Sequence, residues 1–98
     1  MPWMYILQCS DGSYYVGSTR DLDRRVWEHN QGTGAKYTAR RRPVKLMYSE
    51  EYDSVGEAYA REKQVQGWGR AKREALIRGD FGALPGLARK NFKTEQED

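Results

Sequence analysis

The chain has 98 residues, 38% hydrophobic and 32% charged, with 17 Lys and Arg against 14 Asp and Glu for a formal net charge of +3. That length suits one domain and excludes a two-domain enzyme or a closed eight-stranded α/β barrel, while seven Tyr and three Trp argue against disorder. A single Cys and a single His exclude an internal disulfide and, in a monomer, a closed Cys/His zinc site; with no leader pattern and no run of about 18 apolar residues, the expectation is a cytoplasmic protein with no membrane span and a monomer as default.

The N-terminal stretch reads as a β-hairpin. Trp3, Tyr5, Leu7 and Cys9 alternate with Met4, Ile6 and Gln8, Ser10-Asp11-Gly12-Ser13 is a turn, and Tyr14 to Ser18 forms the return strand. Turn length decides where two of its tyrosines point. A two-residue Asp11-Gly12 loop sends Tyr5 and Tyr15 to opposite faces, and an odd loop brings them to one face. A shared site requires the odd loop, which is the expectation here.

A helix follows from about Asp21, capped by Thr19 or Asp21, with Leu22, Val26 and His29 along one stripe and Gly32 at its end. Gly32 to Arg42 reads as a loop with one helical turn near Lys36 to Ala39. Val44 to Tyr52 is a third strand with Val44, Leu46 and Tyr48 expected on one face. Ser54 and Glu57 have capping-box spacing, and the helix they start runs to about Gln66 with Gly67 at the stop. A last helix covers about Gly69 to Arg78. The expectation is an α+β domain over residues 1–79, a three-stranded antiparallel sheet flanked by helices in the order β-β-α-β-α-α, with a partly ordered tail over 80–98.

The charge is unevenly placed. Gly32 to Ser49 holds no acidic residue but carries Lys36, Arg40, Arg41, Arg42 and Lys45, and Arg70, Lys72, Arg73 and Arg78, interrupted only by Glu74, form a second basic group. With Tyr37 and Tyr48 beside the arginine run, this pattern suits a nucleic-acid strand, Arg gripping phosphate while rings stack on bases. A solvated charged face is the plainer alternative. Glu62 falls on or beside the buried stripe of its helix, four residues after Ala58 and three before Val65. A carboxylate there must be paired with an Arg or hold a cation.

Tyr5-Ile6-Leu7, Asp11-Gly12-Ser13, Tyr15-Val16-Gly17, Thr19 to Leu22, Arg24-Arg25 with Glu28-His29, Gly34 to Thr38, the arginines before Pro43, and Ala58 to Ile77 around Glu62 together resemble the GIY-YIG nuclease superfamily, closest to its small stand-alone YhbQ-like bacterial branch. The resemblance implies phosphodiester hydrolysis with one Mg²⁺ or Mn²⁺ ion. By position it makes Tyr5 and Tyr15 the two motif tyrosines, Gly17 the second motif's glycine, Arg25 the helix arginine and Glu62 the metal ligand, and it puts His29 where relatives have Tyr or His. On this reading Arg25 neutralises phosphoryl charge, and one phenol, favoured as phenolate by the positive charge nearby, takes a proton from water. His29 steers a water, contacts phosphate, or is a helix-face structural residue. The first motif departs at Trp3 and Met4, Ser18 stands where one branch has a Lys, and the late Asn of some relatives is absent. The implied substrate is DNA ahead of RNA, in branched, damaged or single-stranded form. A nucleic-acid-binding module with little cleavage, and a protein adaptor, are the competing readings.

Overall fold

A computed structural model describes residues 1–80 and Gly82. The tail expected over 80–98 lies outside the described residues apart from Asp80 and Gly82. The elements are β1 (Trp3–Gln8), β2 (Tyr14–Thr19), α1 (Leu22–Gln31), α2 (Lys36–Ala39), β3 (Lys45–Glu51), α3 (Val55–Gln66) and α4 (Arg70–Arg78). The fold is α+β with a three-stranded antiparallel sheet, and the single helical turn expected after Gly32 is α2. Strand order is β2-β1-β3. The chain forms two compact units, Met1–Gln66 and Gly67 onward.

The hairpin turn carries three residues. Cys9 N–H bonds Ser13 O at 2.8 Å, enclosing Ser10, Asp11 and Gly12, and Gly12 takes φ 86°, which a side chain resists. The odd count pairs Tyr5 with Gly17 and Leu7 with Tyr15, so Tyr5, Leu7, Tyr15 and Gly17 share one face. On that face Tyr5, Leu7, Cys9 and Val44 are buried, with Tyr15 and the α1 residues Leu22 and Val26 packed against them. Asp21 caps α1 by accepting Arg24 N–H at 3.2 Å, and Gly32 closes it at φ 88°. The other face buries Met4, Ile6 and Val16 and carries α3, which lies across β1 and β2.

Two expectations are corrected. Ile6 pairs with Tyr48 but Leu7 pairs with Leu46, so the ladder skips Met47. This bulge puts Leu46 and Tyr48 on opposite faces, and the single apolar face expected for Val44, Leu46 and Tyr48 does not exist. At the start of α3, Ser54 Oγ accepts Glu57 N–H at 3.1 Å, yet Glu57 makes no return bond, so half of the capping box forms. Its exposed carboxylate is well hydrated, which leaves little drive for the second half.

Two side-chain clusters fix the helices. Asn30, at the end of α1, accepts Val44 N–H at 2.7 Å and donates to Val44 O at 3.1 Å. Glu50 of β3 accepts from Tyr48 Oη at 2.6 Å, from Tyr52 Oη at 2.5 Å and from Arg61 Nε at 2.9 Å. Those three donors hold the Glu50 carboxyl below its usual range despite the opposing effect of burial.

In the second unit, Gly79 ends α4 at φ 77° with its N–H bonded to Leu76 O at 3.0 Å. Lys72 is buried, with Nζ 4.1 Å from the Trp68 ring centroid. No helix among the described residues is long and apolar enough to cross a membrane.

Replacing Asn30 by Ala removes two hydrogen bonds and orphans the buried Val44 amide. Each such loss is worth about 1 kcal/mol, so urea denaturation should show the variant about 2 kcal/mol less stable.

Candidate active site

The register brings the two phenols together. The Tyr5 and Tyr15 ring centroids lie 6.5 Å apart, and both contact the imidazole of His29 edge-on, at 5.8 and 5.1 Å. Tyr5 leans over its cross-strand partner Gly17. A Cβ there would sit 2.5 Å from the Tyr5 oxygen, closer than any carbon approaches, so only glycine admits the ring. Gly34 plays the same part beside His29, where a Cβ would meet Nδ1 at 2.5 Å.

His29 is fully buried. Its imidazole is in contact with the site through the Tyr5 hydroxyl. Thr38 Oγ1 uses its hydrogen on Ala35 O at 3.1 Å. With the Thr38 hydrogen on Ala35 O, the imidazole donates from Nδ1 to Thr38 Oγ1, at 2.7 Å. That tautomer leaves Nε2 as an acceptor, and the Tyr5 hydroxyl donates to it at 2.8 Å. Burial, with Arg25 adding to it, holds the imidazole below its ordinary pKa, so it is neutral at pH 7.

The phenols are not primed as phenolates. Burial raises Tyr5 well above an ordinary phenol; Tyr15 raises it further and Arg25 pulls the other way without prevailing. Tyr15 is raised by burial and then by the charge of Glu62. Arg25 does pull both phenols towards the phenolate, as expected, but desolvation outweighs one guanidinium in the protein alone. Ser18, standing where a Lys would add charge, contributes none.

Arg25 projects from α1 with its side chain 39% exposed and Nε 3.1 Å from Glu28 Oε1. Glu62 reaches the same neighbourhood from the opposite face of the sheet, at the β2 edge. Its side chain is 13% exposed. Oε1 accepts from Ser18 Oγ at 2.6 Å and Oε2 from Gln66 Nε2 at 2.8 Å. Among the described residues no arginine pairs with it, and the arginine next to it on α3, Arg61, pairs with Glu50. The nearest cation is Lys63 Nζ at 3.8 Å. Each carboxylate oxygen thus keeps lone pairs free, in a site where both phenols feel its charge.

Among the described residues no group of three or more His, Cys, Asp and Glu is placed to hold a metal. A cation here would have one protein carboxylate. That donor set suits Mg²⁺, which keeps several waters and binds through one or two carboxylates and substrate phosphates; it does not suit zinc, which takes several protein ligands.

The basic residues read as a nucleic-acid face divide. Arg41 Nε bonds Asp11 Oδ2 at 3.0 Å, its Nη1 bonds Tyr37 O at 2.9 Å, and its guanidinium lies 3.8 Å over the Tyr37 ring. Tyr37 stacks on Tyr15 with centroids 6.1 Å apart and donates to Ser13 Oγ at 2.7 Å. This clasp ties α2 to the hairpin turn; sequence pattern marked Arg41 and Tyr37 only as a basic–aromatic pair. Arg42 Nε bonds Ala39 O at 2.9 Å, and Lys72 is buried on Trp68. Arg41 and Lys72 are thus held by partners within the protein, whereas Arg42 is exposed. Arg70 pairs with Glu74 at 3.0 Å and Arg73 is half-buried. Lys36, Arg40 and Lys45 are exposed, with no side-chain partner among the described residues.

Residues 1–75 match the family model of the GIY-YIG catalytic domain. The chain belongs to the GIY-YIG family. A UPF0213 protein of Halobacterium salinarum is 51% identical over 77 residues, covering 79% of this chain and all of the relative. A UPF0213 protein of Staphylococcus saprophyticus is 45% identical over 75 residues, 76% of this chain and 92% of the relative. The solution structure of a UPF0213 protein from Bacillus halodurans has 38% identity and a TM-score of 0.52, covering 96% of this chain and 99% of its own. A solution structure of an E. faecalis protein has 40% identity and a TM-score of 0.55, with 81% and 84% covered. GIY-YIG domains generally act on nucleic acid and use a divalent metal.

Two outcomes follow from the packing. Gly17→Ala should displace Tyr5 and cost about 1–3 kcal/mol in chemical denaturation, the usual cost of overpacking. For His29 the sign is fixed by its lowered pKa. An unfolded imidazole titrates near about 6.5, the folded one only at lower pH, so below about 6.5 the unfolded chain binds the extra proton and stability falls on acidification, by at most about 1.4 kcal/mol per pH unit. Urea midpoints at about pH 7.5 and pH 5.5, bracketing that value, should differ in that sense, and the difference should shrink in His29→Gln.

Proposed function

We propose that this GIY-YIG chain is a cytoplasmic, metal-dependent endonuclease of the YhbQ-like branch, hydrolysing phosphodiester bonds in DNA of branched, damaged or single-stranded form. What supports this reading is that two phenols lie together and are both influenced by the charges of Arg25 and of the mostly buried Glu62, with which no arginine pairs among the described residues. Glu62 is the residue to hold one Mg²⁺ or Mn²⁺ ion. When bound, the cation supplies Lewis-acid polarisation of the phosphate and stabilises the leaving oxygen.

Arg25 binds the non-bridging phosphate oxygens and offsets the charge that develops on them. A water attacks phosphorus and gives its proton to the Tyr5 oxygen, which a bound strand must first uncover because Tyr5 is 1% exposed, while the Tyr5 proton passes to Nε2 of His29. The Nδ1–H of His29 stays on Thr38, so the imidazole takes the second proton in place and no free phenolate forms. The raised pKa of Tyr5 is compatible with this route, because the base that finally holds the proton is the neutral imidazole. Tyr15 lies against the same imidazole and orients the water. Gly17 keeps the edge strand bare beside the Tyr5 oxygen.

The second reading, a binding module of the same fold with little cleavage, draws on the raised pKa of both phenols. One screen separates the two. Duplex, single-stranded and branched DNA and RNA are incubated with Mg²⁺ or Mn²⁺, and Glu62→Ala runs alongside. Cleavage that needs the metal and disappears in Glu62→Ala, with circular dichroism unchanged, supports the nuclease. Binding without cleavage supports the module, and equal cleavage by the variant removes Glu62 from the mechanism. Tyr5→Phe should slow cleavage by about 10²–10⁴-fold, the usual weight of general acid–base catalysis, and Tyr15→Phe by less; the reverse order would exchange the two roles.

A further inference from the structure

We propose that Arg20 binds the phosphate next to the scissile one, and that the nucleic-acid backbone leaves the site through two grooves that meet at this residue. The inference rests on the reading above in taking a nucleic acid as substrate. It concerns a residue outside both basic groups marked by the sequence.

Arg20 lines both concavities. One has a volume of about 380 Å³ and contains Arg24 and Arg25 together with Asp21 and Glu28. The other, about 520 Å³, runs past Asp53 and Ser54 to Pro2. Arg25 thus belongs both to the candidate site and to the first groove, so a backbone held by Arg25 lies at the groove's lining.

The acidic side chains of the first groove are engaged elsewhere. Asp21 accepts Arg24 N–H as the cap of α1. Glu28 is shared between Arg24 and Arg25, at 3.2 and 3.1 Å. One carboxylate serves two guanidinium groups, so the pair keeps a positive charge. Arg20 is exposed and makes no ion pair or hydrogen bond among the described residues. Asp53 of the second groove and Asp21 of the first are opposing charges near it, and neither forms an ion pair with it among the described residues.

The backbone of Arg20 is fixed, although its head is free. Thr19 Oγ1 accepts Asp21 N–H at 3.1 Å and bridges across Arg20, holding the corner between β2 and α1. Ser18, two residues earlier, holds Glu62. Two residues of extended chain span about 6.6 Å, on the order of one nucleotide step along a strand. A phosphate beside Glu62 and Arg25 therefore brings its neighbour within reach of the Arg20 fork, whose paired N–H groups match two phosphate oxygens.

The test measures binding without divalent metal, so that no cleavage intervenes. Fluorescence anisotropy follows labelled oligonucleotides of the form that the wild-type protein cleaves, over a range of salt. Arg20→Ala should weaken binding roughly tenfold at low salt. It should also make the plot of log K against log salt shallower by about 0.9 on a duplex or about 0.7 on a single strand, the value of one phosphate contact. Arg78→Ala, which removes one charge in the second unit, controls for net charge. Oligonucleotides carrying a neutral methylphosphonate next to the cleavage position make the test specific: they should bind wild type less tightly and should bind Arg20→Ala no worse than the unmodified strand. If the loss from the methylphosphonate is the same in both proteins, or if Arg20→Ala behaves as Arg78→Ala does, the Arg20 subsite is refuted while the nuclease reading stands. If wild type binds no nucleic acid at all, the nuclease reading fails and the subsite with it.

Discussion

The candidate site depends on one chain of hydrogen bonds, from the Tyr5 hydroxyl through His29 to Thr38 and the carbonyl of Ala35. It fixes a proton arrangement as well as a geometry, because each group can play one role only once Thr38 has committed its hydrogen. It also joins β1, the end of α1 and the short α2 across a buried space. Two glycines, Gly17 and Gly34, make room for its rings. A buried imidazole with both nitrogens satisfied is the low-cost way to keep a neutral proton acceptor inside a small core.

Helix α3 works as an arm with two grips. Arg61 holds Glu50 on β3 and Glu62 holds Ser18 on β2, so successive residues bind opposite strands of the sheet. The first grip is a charge pair reinforced by two tyrosine hydroxyls, and it occupies the arginine next to Glu62. The second grip uses uncharged donors, a hydroxyl and an amide. They orient the carboxylate and leave its charge available, and that charge is part of what raises the neighbouring phenols.

Much of this was legible in the sequence because it is local. The alternation of β1, the glycine of the turn, the stripe Leu22–Val26–His29 and the position of Glu62 between Ala58 and Val65 all follow from period and spacing. The shared face of Tyr5 and Tyr15 followed from requiring an odd turn. What escaped is set by distant partners. The bulge at Met47 depends on how β3 meets β1 and leaves no mark in its own alternation. Arg41 reads as a phosphate ligand until Asp11 and Tyr37 are seen around it, and Lys72 does so until Trp68 is. The pull of a neighbouring Arg towards the phenolate was outweighed by burial, which a pattern of residue types does not measure. Arg20 entered only as part of the Thr19 to Leu22 motif and was given no role, because it lies outside both basic groups.

The three-residue turn between β1 and β2 carries a further consequence. Strand pairing has a parity: adding or deleting one residue in Ser10–Gly12 would rotate all of β2 by half a pleat, exchanging Gly17 for Val16 or Ser18 beneath the Tyr5 ring. The identity of a loop residue such as Ser10 is then a weak constraint, and the number of loop residues a strong one. Drift in this segment is tolerated as substitution and punished as a single-residue indel, the opposite of the usual latitude of a surface loop.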